Sequence, residues 1–184
     1  METNWYLITG SPSSGKTTVV NELQKRGYNT LPEYATTVIE NELKTGKTLE
    51  EVRFGDIAGL QRKMLKMQLD EQAKLDPKEL YFMDRGIPDI FVFHFFYKIT
   101  QHKKLDWELY HELKNLAKHI KFKKVFLFDT LPLKKNNVRI ENENDIEMLH
   151  RLSDVLYKDM GFEVINVPPM SVEERVNFVL KSIG

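Results

Sequence analysis

The residues with the most chemical content are Gly10-Ser-Pro-Ser-Ser-Gly15-Lys16-Thr17. They match G-x-x-x-x-G-K-[ST], the Walker A pattern of a phosphate-binding loop, at every fixed position. Glycines 10 and 15 let the backbone wrap closely around an anion. Successive N–H groups and the positive end of the helix that follows then face it. Pro12 has no N–H, so donation falls mainly to Ser13, Ser14, Gly15, Lys16 and Thr17, with Thr18 next in the helix. Lys16 is expected to reach the β- and γ-phosphates of a nucleoside triphosphate, and the Thr17 hydroxyl to coordinate Mg²⁺. The plain alternative is a Gly-Ser turn between a strand and a helix. The cradle is preferred because the fixed positions and the flanking elements agree.

Two apolar runs end in aspartate and offer the second magnesium contact: Phe82-Met83-Asp84 and Leu127-Phe128-Asp129. Asp84 is favoured because Arg85 follows it. A carboxylate near Mg²⁺ beside a guanidinium near phosphate offsets the charge that spreads over transferring phosphoryl oxygens. The alternative there is an Asp-Arg-Gly turn with a local ion pair. Asp129 ranks second as a strand-end turn residue. Glu33 follows a short strand and opens a helix, where it can deprotonate or orient an acceptor hydroxyl or simply complement the helix dipole.

Gln61 and Gln68 lie seven residues apart and share a helix face with Met64 and Leu65. Amides among apolar groups suit a flat, polar-edged acceptor such as a nucleobase; an ordinary half-exposed face is the competing reading. The segment 130–144 carries Lys134, Lys135 and Arg139 and reads as a lid that excludes water from the triphosphate. Arg139 is its catalytic candidate and Arg151 a weaker one. Asp56-Ile-Ala-Gly59 has the D-x-x-G spacing of a GTPase switch, but no apolar strand precedes it and no N-K-x-D segment follows. His94 reads as a packed histidine, Lys121, Lys123 and Lys124 as a solvated strand edge, and Arg175 as part of an exposed helix face.

These residues need a scaffold that brings strand ends together. Apolar runs at Trp5–Ile8, Tyr28–Leu31, Leu80–Met83, Val125–Phe128 and Glu163–Val167 alternate with helical segments. The alternation predicts a five-stranded parallel sheet covered on both faces. Helices are predicted from Lys16 to Arg26, Tyr34 to Thr45, residues 56–75, Pro88 to Phe96, Asp106 to His119, Ile146 to Met160 and Ser171 to Leu180. Thr48-Leu-Glu-Glu51 and Ser171-Val-Glu-Glu174 have capping-box spacing. Ligands of such sheets bind beyond the carboxyl ends of the strands, where the singled-out residues lie. Some 48 residues separate Leu31 from Leu80, and 34–78 reads as a helical insertion that holds an acceptor.

Composition sets the outer bounds. The 184 residues carry 27 Lys+Arg, 27 Asp+Glu and no Cys, with 41% apolar and 29% charged residues. The length suits one domain. Zero net charge argues against bulk nucleic-acid binding, and the absence of Cys excludes disulfides and thiolate metal sites. The densest apolar run, Ile90 to Tyr97, is too short for a membrane span, and no signal peptide is evident. A cytoplasmic protein is the expectation.

With these residues in hand, the chain resembles a family of small P-loop ATPases of the kinase group, labelled AAA-domain proteins and akin to nucleoside and nucleotide kinases and to ribosylnicotinamide kinase domains. The resemblance runs through Gly10–Thr17, Arg26-Gly-Tyr28, Pro32-Glu33, Gln61, Gln68, Asp84-Arg85-Gly86, Val138-Arg139-Ile-Glu141, Gly161-Phe-Glu-Val164 and Ser171–Arg175. It implies a three-layer α/β sandwich with strand order 2-3-1-4-5, binding of ATP and Mg²⁺, an acidic residue facing the acceptor at Glu33, and a lid arginine at Arg139. Similar proteins often carry an acidic residue three before that arginine, where this chain has Asn136. The expected activity is Mg-ATP-dependent phosphoryl transfer to a small nucleoside- or nucleotide-like acceptor, with Glu33, Gln61, Gln68 and Arg85 toward the acceptor. A nucleotide-dependent regulatory ATPase and an end-processing polynucleotide kinase are the alternatives.

Overall fold

Five short strands lie side by side in a computed structural model that describes residues 2–132 and 138–184. They are β1 (Trp5–Thr9), β2 (Asn29–Leu31), β3 (Tyr81–Asp84), β4 (Lys124–Phe128) and β5 (Val164–Val167). All neighbours run parallel in the order β2-β3-β1-β4-β5. The chain is thus a doubly covered α/β sandwich. The central strands are apolar without alternation because both faces are buried: every residue of β1 is buried, as are the last four of β4. One face packs Tyr6, Ile8, Phe82, Phe126 and Phe128 against α1 (Lys16–Lys25) and α7 (Val172–Ser182). The other packs Leu7, Met83 and Val125 against a larger helical layer.

That layer contains α2 (Ala35–Leu43), α3 (Ile57–Gln72), α4 (Ile87–Thr100), α5 (Trp107–His119) and α6 (Glu143–Asp159). Caps explain most boundaries. Asp106 accepts from Leu109 N at 3.0 Å, and Ser171 and Glu174 form the reciprocal box that starts α7. Helix α6 begins earlier than its apolar period implies, because Asn142 and Asp145 make a further capping box. The Thr48–Glu51 box also forms, but it opens a π-helical turn, Glu51–Gly55, rather than an α-helix. Asp56 is the N-cap of α3 and accepts from Gly59 N at 2.8 Å. The D-x-x-G spacing is therefore a helix start.

The exposed-face reading of Arg175 is overturned: this residue is 2% exposed. It stands four residues before Val179 and beside Val176, on the stripe of α7 that faces the sheet. His94, in contrast, is fully buried as a packed residue. No helix among the described residues is long and apolar enough to cross a membrane.

Candidate active site

The loop 10–17 leaves β1 and enters α1, and two glycines permit its shape. A Cβ on Gly10 would meet the Phe128 carbonyl oxygen at 2.6 Å, so β4 can approach only a glycine there. Gly15, at φ 85°, caps α1 in the left-handed region. Lys16 is buried and folds back on its own loop, donating to Gly10 O (2.9 Å), Ser11 O (2.8 Å) and Ser14 Oγ (3.1 Å). Burial, with the Arg85 guanidinium nearby, lowers its pKa to about 7 against the opposing pull of Asp84, Asp89 and Glu33. An arriving phosphate would reverse that balance by supplying negative charge.

Asp84 ends β3 beside the loop. Thr17 Oγ1 donates to Asp84 Oδ2 at 2.5 Å, while Asp84 Oδ1 is buried with no hydrogen-bond partner among the described residues. Burial raises the Asp84 carboxyl above its ordinary range despite Lys16, Thr17 and Arg85. A hydroxyl and an unsatisfied carboxylate oxygen side by side are hard oxygen donors. Such donors fit a magnesium ion that keeps several waters, so Thr17 and Asp84 can hold one.

Arg85 sits at φ 69°, a conformation that ordinarily costs an L-residue about 1 kcal/mol or more. Its N–H bonds to Ile8 O at 3.0 Å, its Nη1 to Asp89 Oδ1 at 2.9 Å, and its guanidinium lies over Phe93. Burial opposes its charge, but Asp89, Glu33 and Asp84 outweigh that and raise its pKa. The local ion pair of the alternative reading is thus present, with Asp89, and the same side chain also faces a cavity. Asp89 is the hub beneath it: it also accepts from Thr9 Oγ1 (2.5 Å), Gly86 N (2.9 Å) and Tyr157 OH (2.8 Å).

The cavity, of about 990 Å³ with its open mouth, spans the carboxyl ends of β1, β2 and β3. Lys16, Thr17, Glu33, Asp84, Arg85 and Arg139 all line it, as do Gln61 and Gln68. Glu33 accepts from Thr36 N (3.2 Å) and Thr36 Oγ1 (2.8 Å), so it does secure the start of α2 while facing the cavity. Gln61 and Gln68 are not half-exposed; they are 1% and 5% exposed. Gln61 Oε1 and Gln68 Nε2 have no partner among the described residues. Arg139 Nη1 donates to Ser13 Oγ of the loop at 2.9 Å. Thr18 is exposed on α1 and outside the lining. Asp129 lies 3.5 Å from His150, and Arg151, largely exposed, pairs with Glu147. Lys134, Lys135 and Asn136 lie outside the described residues.

One buried cluster in the lining escapes sequence reasoning. Arg53 Nη2, from the π-helical turn, donates to both Tyr97 OH of α4 and Glu141 Oε1 ahead of α6, and Tyr97 OH also donates to Glu141. Burial works against the Glu141 carboxylate, but Arg53 and Tyr97 overcome it and hold its pKa low. Glu141, two residues beyond Arg139, was the nearest signal, but nothing local pairs it with Arg53.

A family model described as an AAA domain matches residues 5–175. The chain belongs to that family. No curated protein matches the sequence. Solved structures similar to this AAA-domain chain include deoxyadenosine kinase from M. mycoides with bound dCTP and with bound dATP. Both give a TM-score of 0.73, at 16% and 15% identity, over 97% of this chain and 98% of theirs. A further structure of that enzyme, with products dCMP and a flexible dCDP bound, gives 0.72 at 15% identity, covering 97% of each chain. At this identity the likeness is one of fold.

Proposed function

We propose that this chain is a Mg-ATP-dependent phosphotransferase acting on a small nucleoside- or nucleotide-like acceptor. The observation that carries the reading is one cavity that joins the phosphate loop and Asp84 to Glu33 and to two buried glutamines, whose Gln61 Oε1 and Gln68 Nε2 have no partner among the described residues. The fold shared with deoxyadenosine kinases, which bind nucleotides, supports the same class. The insertion 34–78 supplies the acceptor wall, and Val138 and Arg139 reach the cavity from beyond β4. Arg53 and Arg85 face the cavity paired with Glu141 and Asp89.

The loop amides and Lys16 bind the donor polyphosphate, with Lys16 exchanging its carbonyl partners for phosphate oxygens. Thr17 and Asp84 hold Mg²⁺, which when bound neutralises phosphate charge. Glu33 orients the acceptor hydroxyl and takes its proton as the oxygen attacks the γ-phosphorus and the bond to the ADP oxygen breaks. Arg85 and Arg139 stabilise charge on the transferred group. The amides of Gln61 and Gln68 meet the polar edge of a base.

The test is incubation of the protein and Mg-ATP with pooled nucleosides, nucleotides and vitamin precursors. Mass spectrometry then looks for a phosphorylated product, with Lys16→Ala as control. A product formed by the native chain alone is the expected result. Slow ADP release that ignores every acceptor would point instead to a regulatory ATPase. An oligonucleotide with a free 5′-hydroxyl in the same pool tests the end-processing alternative.

A further inference from the structure

Arg175 has no role in the chemistry above, yet it touches the phosphate loop from behind. It stands in the first turn of α7, 161 residues from Ser14 in the chain. Its Nη1 donates to Ser14 O at 2.6 Å and its Nε to Pro168 O at 3.2 Å. The guanidinium lies over the Phe128 ring, with Cζ 5.4 Å from the centroid, and Nη2 is buried with no partner among the described residues. Arg175 does not line the cavity. Burying a guanidinium is costly unless it is well held, and two carbonyls and an aromatic face hold this one. Gly15 makes room for it: a Cβ there would stand 3.1 Å from Nη1.

We propose that Arg175 is a positioning residue for the donor site, orienting the Gly15 N–H toward the phosphates of the bound nucleoside triphosphate. The inference rests on the reading of loop 10–17 as a triphosphate cradle. A trans peptide is planar, and its C=O and N–H point in opposite directions. Arg175, which lies outside the cavity lining, holds the Ser14 carbonyl toward itself, so the N–H of the same peptide unit, that of Gly15, points the opposite way. A charged donor on the carbonyl also polarises the amide and strengthens its N–H as a donor. A loop otherwise free to rotate this peptide is thereby fixed before the ligand arrives, which lowers the ordering cost of binding.

The test compares the full-length chain with Arg175→Met and Arg175→Lys, using calorimetric binding of Mg-ATP and of Mg-tripolyphosphate. Melting curves confirm that each protein is folded. Arg175→Met should lose affinity for both ligands by the same factor, about tenfold or more, with the KM for acceptor unchanged. A contribution to stability alone would lower the melting temperature and leave both affinities intact, which overturns the proposal. Loss of ATP affinity with tripolyphosphate unaffected overturns it too, since Arg175 would then serve the nucleoside half. Should Arg175→Met not fold, the Gly15 amide decides by NMR. Its proton should move downfield on tripolyphosphate addition to the native chain and move less in Arg175→Lys. An unmoved Gly15 signal in a native chain that binds the ligand refutes the role of Arg175 alone. A native chain that binds neither ligand refutes the cradle and the inference together.

Discussion

Thr17 Oγ1 donates to Asp84 Oδ2 at 2.5 Å, tying the first turn of α1 to the end of β3. The contact is within reach because β1, which leads through the loop into α1, lies beside β3 in the sheet, with Ile8 paired to Asp84. It places a hydroxyl and a carboxylate where the loop opens into the cavity. The other carboxylate oxygen is buried without a partner among the described residues, an arrangement that costs stability in the free protein.

Asp84→Asn should therefore separate stability from activity. The amide oxygen still accepts from Thr17, and a buried carboxylate is removed, so the melting temperature without Mg²⁺ should hold or rise. Phosphoryl transfer in Mg-ATP should fall by about 10²-fold or more. Thermal melts without metal and steady-state kinetics with it check both halves. A lower melting temperature with full turnover would make Asp84 a purely structural residue.

Glu33→Gln probes the double engagement of Glu33 with Thr36 and the cavity. The glutamine oxygen can still accept from Thr36 N, so α2 should keep its start and the melting temperature should change little. As the proposed base, Glu33 should contribute on the order of 10²-fold or more to kcat. Nucleotide binding should be unchanged while kcat drops. If turnover is undiminished, Glu33 serves only the helix.

Legibility in the sequence followed the range of the contacts. Lys16, Thr17, Asp84 and the strand order were readable because a loop motif, apolar runs and a family resemblance all act locally or across the whole chain. Gln61 and Gln68 were readable as a pair on one face, but their burial depends on the packing of α3 against α4 and α2, which no spacing reveals. Arg53 meets Tyr97 44 residues away and Glu141 88 residues away, so this cluster has no local signature. Arg175 was misread because a charge after a capping box suggests solvent. The four-residue step to Val179 pointed inward, and packing against the loop, not helix propensity, decided the outcome. The π-helical turn likewise obeys the Thr48–Glu51 cap and then departs from it.

Arg53→Met tests the buried cluster. Glu141 is 3% exposed, and removing its guanidinium partner leaves a carboxylate in the interior. Breaking such a pair costs about 3–5 kcal/mol. Denaturant unfolding should show that loss. Arg53→Met combined with Glu141→Gln should recover part of it, because the stranded charge is gone. Equal losses in single and double variants would mean that the pair is not coupled.

His94 should make the fold sensitive to acid. It is fully buried in α4, both ring nitrogens lack partners among the described residues, and burial with the nearby Lys98 lowers its pKa from 6.5 to about 4. Arg62 also disfavours the charged ring, while Asp106 favours it. The folded state thus binds the proton more weakly than the unfolded chain. The stability tied to neutral His94 is fully present above pH 6.5 and is lost as pH falls toward 4. The shift corresponds to roughly 3 kcal/mol. Chemical denaturation from pH 7 to 4 should show this decline superimposed on the titration of the carboxylates. His94→Leu removes two unpartnered polar atoms and the titrating ring, so it should flatten the profile between pH 6.5 and 4 and leave neutral-pH stability equal or higher. An unchanged profile in His94→Leu would assign the acid sensitivity to other groups.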